Sequence, residues 1–93
     1  MLKTNEYFEG KVKSIAFHGQ KKRATVGVMA AGEYLFNTGE KEKITIVSGQ
    51  LMITFNGQTT ESTFDAGQSF EVAANSSFNV RVTSDSAYLC EYG

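Results

Sequence analysis

The sequence predicts an all-β domain with little or no helix, and three observations predict it. Nine Thr, seven Val, four Ile and eleven aromatic residues make up a third of the 93 positions. Such side chains favour a pleated, half-buried surface and lose rotamer freedom in a helix. Glycine or another turn residue recurs at Gly10, Gly19, Gly32, Gly39, Gly49, Gly57, Gly67, Asn75 and Asp85, at intervals of 7 to 13 residues. That is close to the beat of β-sandwiches and barrels. No segment keeps apolar residues at i, i+3, i+4 and i+7 for three turns, so helical periodicity is missing.

Alternation places the strands. Lys11–His18 ends before the polar run at residues 19–23, and Arg23–Ala31 carries an apolar stretch. Glu33–Thr38 sets Tyr34 and Phe36 on one face, against Glu33, Leu35 and Asn37 on the other. Ile44–Ser48 leads into Gly49, and Leu51–Phe55 meets Asn56-Gly57, a strong hairpin signal. Gln58–Phe64 returns from that turn; Ser69–Ala73, Phe78–Thr83 and Ala87–Tyr92 complete about nine strands. A chain of this length forms one domain, residues 1–93, because so many short strands cannot supply two cores. Short strands with open edges also predict that a second copy covers an edge, giving a homodimer.

Charge narrows the partners. Nine Lys and Arg stand against ten Asp and Glu, a net charge of −1. Nucleic-acid-coating proteins carry a basic excess, so no nucleic acid is expected as partner. A single-strand-binding barrel is the least favoured reading, as aromatics interleaved with basic residues are absent. No apolar run is long enough to span a bilayer and no signal-like leader opens the chain, which points away from membranes and to the cytoplasm. The charge is nonetheless uneven. Residues 1–43 hold eight of the nine cations and five acids, whereas residues 44–93 hold only Arg81 and five acids. A cationic side chain for an anion must therefore come from the first half or from Arg81. Arg23, at the edge of the basic run Lys21-Lys22-Arg23, is the member best placed to point inward.

Several chemistries are excluded. His18 is the only imidazole and Cys90 the only thiol, too few for a zinc or non-haem iron centre. Ser-His-acid catalysis, phosphate loops and dinucleotide glycine patterns have no matching motif. In Tyr88-Leu89-Cys90-Glu91-Tyr92, alternation puts Tyr88, Cys90 and Tyr92 on one face, with Cys90 acting as a small buried hydrophobe.

The segments at residues 32–49 and 65–80 resemble the paired motifs of a small single-domain cupin barrel of jelly-roll type. In that register Glu42 and Gly49 match the acidic ligand and the following glycine. Phe36, Thr38 and Phe78 fall where the cupin histidines would stand, so the resemblance implies a site with no metal and no cofactor. The opening at residues 5–14, the segments at 26–29, 32–36 and 48–49, and the closing Tyr88–Tyr92 together resemble the pyrimidine/purine nucleoside phosphorylase family. That resemblance implies an enzyme, a pentosyltransferase acting on purine and pyrimidine nucleosides with inorganic phosphate. Its products would be free base and ribose 1-phosphate.

Such a reaction needs an anion cradle, a sugar grip and a base slot. Arg23 offers a planar fork for phosphate, with Thr38 and Ser48 hydroxyls to assist. Glu33 or Glu42 can accept ribose hydroxyls and favour a cationic transition state. Tyr34, Phe36 and Phe78 offer stacking faces that accept every base. Each has a plainer role beside it: the phenylalanines as interior filling, Glu42 as a solvated loop acid, Glu33 as a turn residue. The same set also suits a non-catalytic holder of nucleosides or sugar phosphates.

Overall fold

The computed structural model describes residues 2–93. Among these are ten strands and no helix: β1 (Lys3–Tyr7), β2 (Val12–His18), β3 (Arg23–Met29), β4 (Gly32–Asn37), β5 (Glu42–Ser48), β6 (Gln50–Phe55), β7 (Ser62–Asp65), β8 (Ser69–Val72), β9 (Ser77–Val82) and β10 (Ser86–Tyr92). Each of the nine expected strands has a counterpart. The tenth, β1, is a polar edge strand that pairs with β2 from Lys3↔Ala16 to Tyr7↔Val12.

The strands form two antiparallel sheets, in the order β1-β2-β3-β10-β5-β8 and β4-β9-β6-β7. From β3 onward the chain crosses between the sheets at nearly every turn, so consecutive strands seldom pair. The expected barrel thus takes the form of two facing sheets: each ladder ends at its own edges, and no continuous ladder closes them. Most strand boundaries shift by one or two residues, and one shifts by more. The Asn56-Gly57 turn forms, with Gln58 N–H donating to Phe55 O at 2.9 Å, but the ladder resumes only at Ile53↔Ser62. Asn56 N–H is drawn to Ser77 O instead, and Phe55 pairs with Phe78 of β9. The returning strand therefore starts at Ser62 rather than Gln58.

The inward faces follow the period of two. Ile44 and Ile46 of β5, Phe70 and Val72 of β8, and Val80 and Val82 of β9 are buried together with Leu51 and Ile53 of β6. At ~25 cal/mol per Å² of apolar area removed from water, this inter-sheet layer is the main source of stability. Gly49 makes the crossing from β5 to β6. Its φ of +89° suits glycine, and a Cβ there would overlap the buried Ser86 side chain. The Ser86 hydroxyl accepts Gln50 N–H at 3.2 Å, which ties the crossing to the start of β10.

The β1–β2 turn is tighter than its sequence suggests. Phe8 and Glu9 both have positive φ, 53° and 59°, and Gly10 N–H donates to Tyr7 O at 3.2 Å. Asn-Gly would adopt this turn with less strain. The Phe8 ring centroid lies 4.9 Å from that of Tyr34 and 5.5 Å from that of Phe36, contacts that offset the backbone cost.

Candidate active site

Between the inner face of β2, β3, β10 and β5 and the rings carried by β4 and β9 lies a cavity of about 160 Å³. Its floor comes from one side of the six-stranded sheet: Ser14, Thr25, Tyr88, Cys90, Tyr92, Glu42 and Ile44. Phe36, Asn37 and Phe78 form the opposite wall, and Tyr7 closes the β1 end. Register explains the grouping. Cys90 pairs with Thr25 on one side and Ile44 on the other, and Tyr92 pairs with Glu42.

Among the described residues, Glu42 is the one carboxyl lining the cavity. Its Oε1 accepts the Cys90 thiol at 3.4 Å. Burial raises its pKa above the ordinary 4.5, while the Cys90 hydrogen bond and the charge of Arg23 pull the other way. Around it the remaining groups stay neutral. Burial, reinforced by the nearby Glu42 charge, pushes the Cys90 thiol up to about 12. The Tyr88 phenol is likewise pushed up to about 12, chiefly by burial, against a hydrogen bond to Ser14 that lowers it. Tyr92 is raised by burial too, although its hydroxyl shares a 3.1 Å hydrogen bond with Thr25 Oγ1. The floor therefore offers several uncharged O–H and S–H groups about a single acid, a surface suited to a polyhydroxylated ligand.

Gly27 makes room for this floor. It pairs with Tyr88 across β3 and β10, and a Cβ on it would come within 2.5 Å of both Cζ and the hydroxyl oxygen of Tyr88. Only a residue without a side chain lets that ring lie flat over β3.

At the mouth, Arg23 shares the inward parity of Thr25 and Gly27. Its Cζ sits 4.5 Å from the centroid of the Tyr92 ring, a cation–π arrangement, and its Nη2 pairs with Glu40.

The sequence-predicted residues separate into three groups. Glu42, Phe36 and Phe78 line the cavity, and Arg23 stands at its rim. Phe36 and Phe78 stack on each other, centroids 5.6 Å apart and planes 25° from parallel. They present one aromatic wall rather than a slot between two rings. Tyr34 and Thr38 are fastened inside the fold. Tyr34 is 4% exposed and donates to Ala30 O at 2.6 Å; Thr38 donates to Ala73 O at 2.7 Å and accepts Ser76 N–H at 2.9 Å. Glu33 and Ser48 lie away from the cavity. Glu33 faces outward, opposite Arg81, and Ser48 is exposed beyond a register shift at Ala87/Tyr88.

Sequence reasoning missed Ser14, Thr25 and the cavity-lining positions of β10. The signal was present in the alternation of Tyr88, Cys90 and Tyr92, which share one face. No feature of the sequence alone says that this face meets Glu42. Among the described residues, no three His, Cys, Asp or Glu side chains converge as a metal cluster.

Two facing antiparallel sheets with a small, largely apolar cavity between them make a cupin-like fold. An RmlC-like cupin from Shewanella frigidimarina shares this fold with a TM-score of 0.76 at 16% identity, covering 98% of this chain and 82% of that one. A protein of unknown function from Vibrio parahaemolyticus superposes with a TM-score of 0.96 at 43% identity, covering 100% and 99% of the two chains. The chain belongs to the pyrimidine/purine nucleoside phosphorylase family, whose profile matches residues 2–92. A pyrimidine/purine nucleoside phosphorylase of Marinobacter nauticus is 55% identical over 93 residues, covering 100% of both chains. One of Photobacterium profundum is 53% identical over 92 residues, covering 99% of each.

Proposed function

We propose that this protein catalyses reversible phosphorolysis of purine and pyrimidine nucleosides, giving free base and ribose 1-phosphate, without a metal ion. The observation that carries the reading is the cavity itself: one acid amid neutral donors, an aromatic wall, and a single arginine at the mouth. A phosphate oxygen bonds to C1′ of the ribose as the C1′–N bond breaks. The bonding pair leaves with the base, which takes up the proton that hydrogenphosphate gives up. Phosphate is the nucleophile, so the protein's part is positioning and electrostatics.

In this reading Glu42 grips ribose hydroxyls and offsets the positive charge developing on the ring. Tyr88, Tyr92 and Thr25 hold the remaining sugar and phosphate oxygens, and Arg23 receives the phosphate over the Tyr92 ring. The base lies against Phe36, whose face has no donor or acceptor pattern by which to tell bases apart. Broad specificity follows from that. A homodimer belongs to the same proposal. The outer face of the six-stranded sheet exposes Ile15, Val26, Val28 and Val47, and burial of such a face is what joins subunits. A cytoplasmic location completes it, consistent with a lone, unpaired cysteine.

The test is incubation with uridine, with and without phosphate, with free uracil measured. Uracil released only when phosphate is present supports phosphorolysis. Tight uridine binding with no release would make the protein a holder rather than an enzyme.

A further inference from the structure

The rim of the cavity carries an anion of its own. Arg23 and Glu40 form an ion pair whose side chains are 56% and 53% exposed. Glu40 belongs to the short connection between β4 and β5, two residues before Glu42. The guanidinium is held a second way, with Cζ 4.5 Å from the centroid of the Tyr92 ring, and Tyr92 lines the cavity. The ring contact fixes where the cation stands; the carboxylate occupies part of its donor edge.

We infer that Glu40 is a built-in competitor for the phosphate subsite, setting how much phosphate the protein needs. This rests on the reading of Arg23 as the phosphate anchor. A carboxylate and a phosphate both take the guanidinium through its N–H groups in its plane, so an arriving phosphate displaces Glu40 from Nη2. The π face on Tyr92 is not contested, and Arg23 stays at the mouth while it changes anions. Displaced Glu40 swings into solvent, which its exposure permits. Glu40 thus sets phosphate affinity through Arg23 and does not touch the reacting atoms.

An exposed ion pair of this kind is worth at most about a five-fold change in an equilibrium, which sets the size of the effect. In Glu40→Gln, the KM for phosphate should fall about two- to five-fold, with kcat at saturating phosphate and KM for uridine unchanged. Glu71→Gln is the charge control. It removes an equal charge from an acid paired with Lys41 at 3.4 Å, and its phosphate KM should stay at the wild-type value. In an Arg23→Ala background, adding Glu40→Gln should change nothing further.

Calorimetric titration of the unliganded proteins with inorganic phosphate gives a readout free of turnover, and Glu40→Gln should bind two- to five-fold more tightly. A phosphate affinity in Glu40→Gln equal to or weaker than wild type would overturn the inference, as would an equal gain in Glu71→Gln. Absence of phosphorolysis in every variant would overturn the proposed function, while the titration would still decide the role of Glu40.

Discussion

Two arginine–glutamate pairs in this protein differ in what they leave free. Arg81, on the outer face of the four-stranded sheet, is engaged by Glu61 at two points, Nε to Oε2 at 2.9 Å and Nη2 to Oε1 at 2.8 Å. That edge of its guanidinium is filled, and Glu33 lies opposite it on β4, so the outer groove lined by Glu33, Glu61 and Arg81 carries two acids and one base. Arg23, at the cavity mouth, is paired through Nη2 and rests on an aromatic face. A cation that is partly paired and placed beside a cavity can exchange its partner. One held by two hydrogen bonds to a single carboxylate, beside a further acid, cannot recruit an anion at comparable cost.

Changes at the cavity end should be large and changes at the outer groove small. The largest effect is expected for Glu42→Gln, a roughly 100- to 1,000-fold loss of kcat/KM with the fold retained. Burial raises the Glu42 pKa, so the folded state favours the protonated acid. The stability this gives is present at low pH and is lost as pH rises through the raised value. The amide avoids that loss, and the variant should melt no lower than wild type at neutral pH. The ionised carboxylate is the working form, so the acid limb of the wild-type kcat/KM profile should fall above pH 4.5 and be absent in Glu42→Gln.

Arg23→Ala comes next, with a rise of roughly 10- to 100-fold in KM for phosphate and a smaller change in KM for nucleoside. Gly27→Ala tests the floor: the new methyl group must displace Tyr88, costing about 1–3 kcal/mol in unfolding free energy and lowering kcat several-fold. The smallest effect belongs to Arg81→Ala, which should leave the phosphate dependence at its wild-type value. Phosphate kinetics on Arg23→Ala and Arg81→Ala side by side read the contrast directly; equal losses in both would erase it.

Much of this was legible in the chain. Turn spacing and β-branched content foretold an all-β fold, and period-two alternation placed nine of the ten strands. The edge strand β1 escaped because KTNEY has one aromatic and no buried face; it is held by pairing with β2. At the site, Glu42, Phe36 and Phe78 stand on the cavity wall, but residue type alone could not sort cavity-lining side chains from those fastened inside the fold. The hydroxyls of Tyr34 and Thr38 are consumed by backbone carbonyls that only the folded loops bring near. Glu33 was in principle decidable, since a neighbour of inward Tyr34 must face outward. Ser48 was not, because the bulge that carries it out of register arises from pairing with β10. For Tyr88, Cys90 and Tyr92 the shared face was visible; what it would face depended on β10 lying between β3 and β5, a long-range pairing that local pattern does not encode.

The most direct measurement is phosphorus NMR on chelator-treated protein with inosine, uridine and inorganic phosphate. The account predicts ribose 1-phosphate from both nucleosides at the rate of untreated protein. Its formation only after a divalent metal is restored, or from one nucleoside alone, would contradict it.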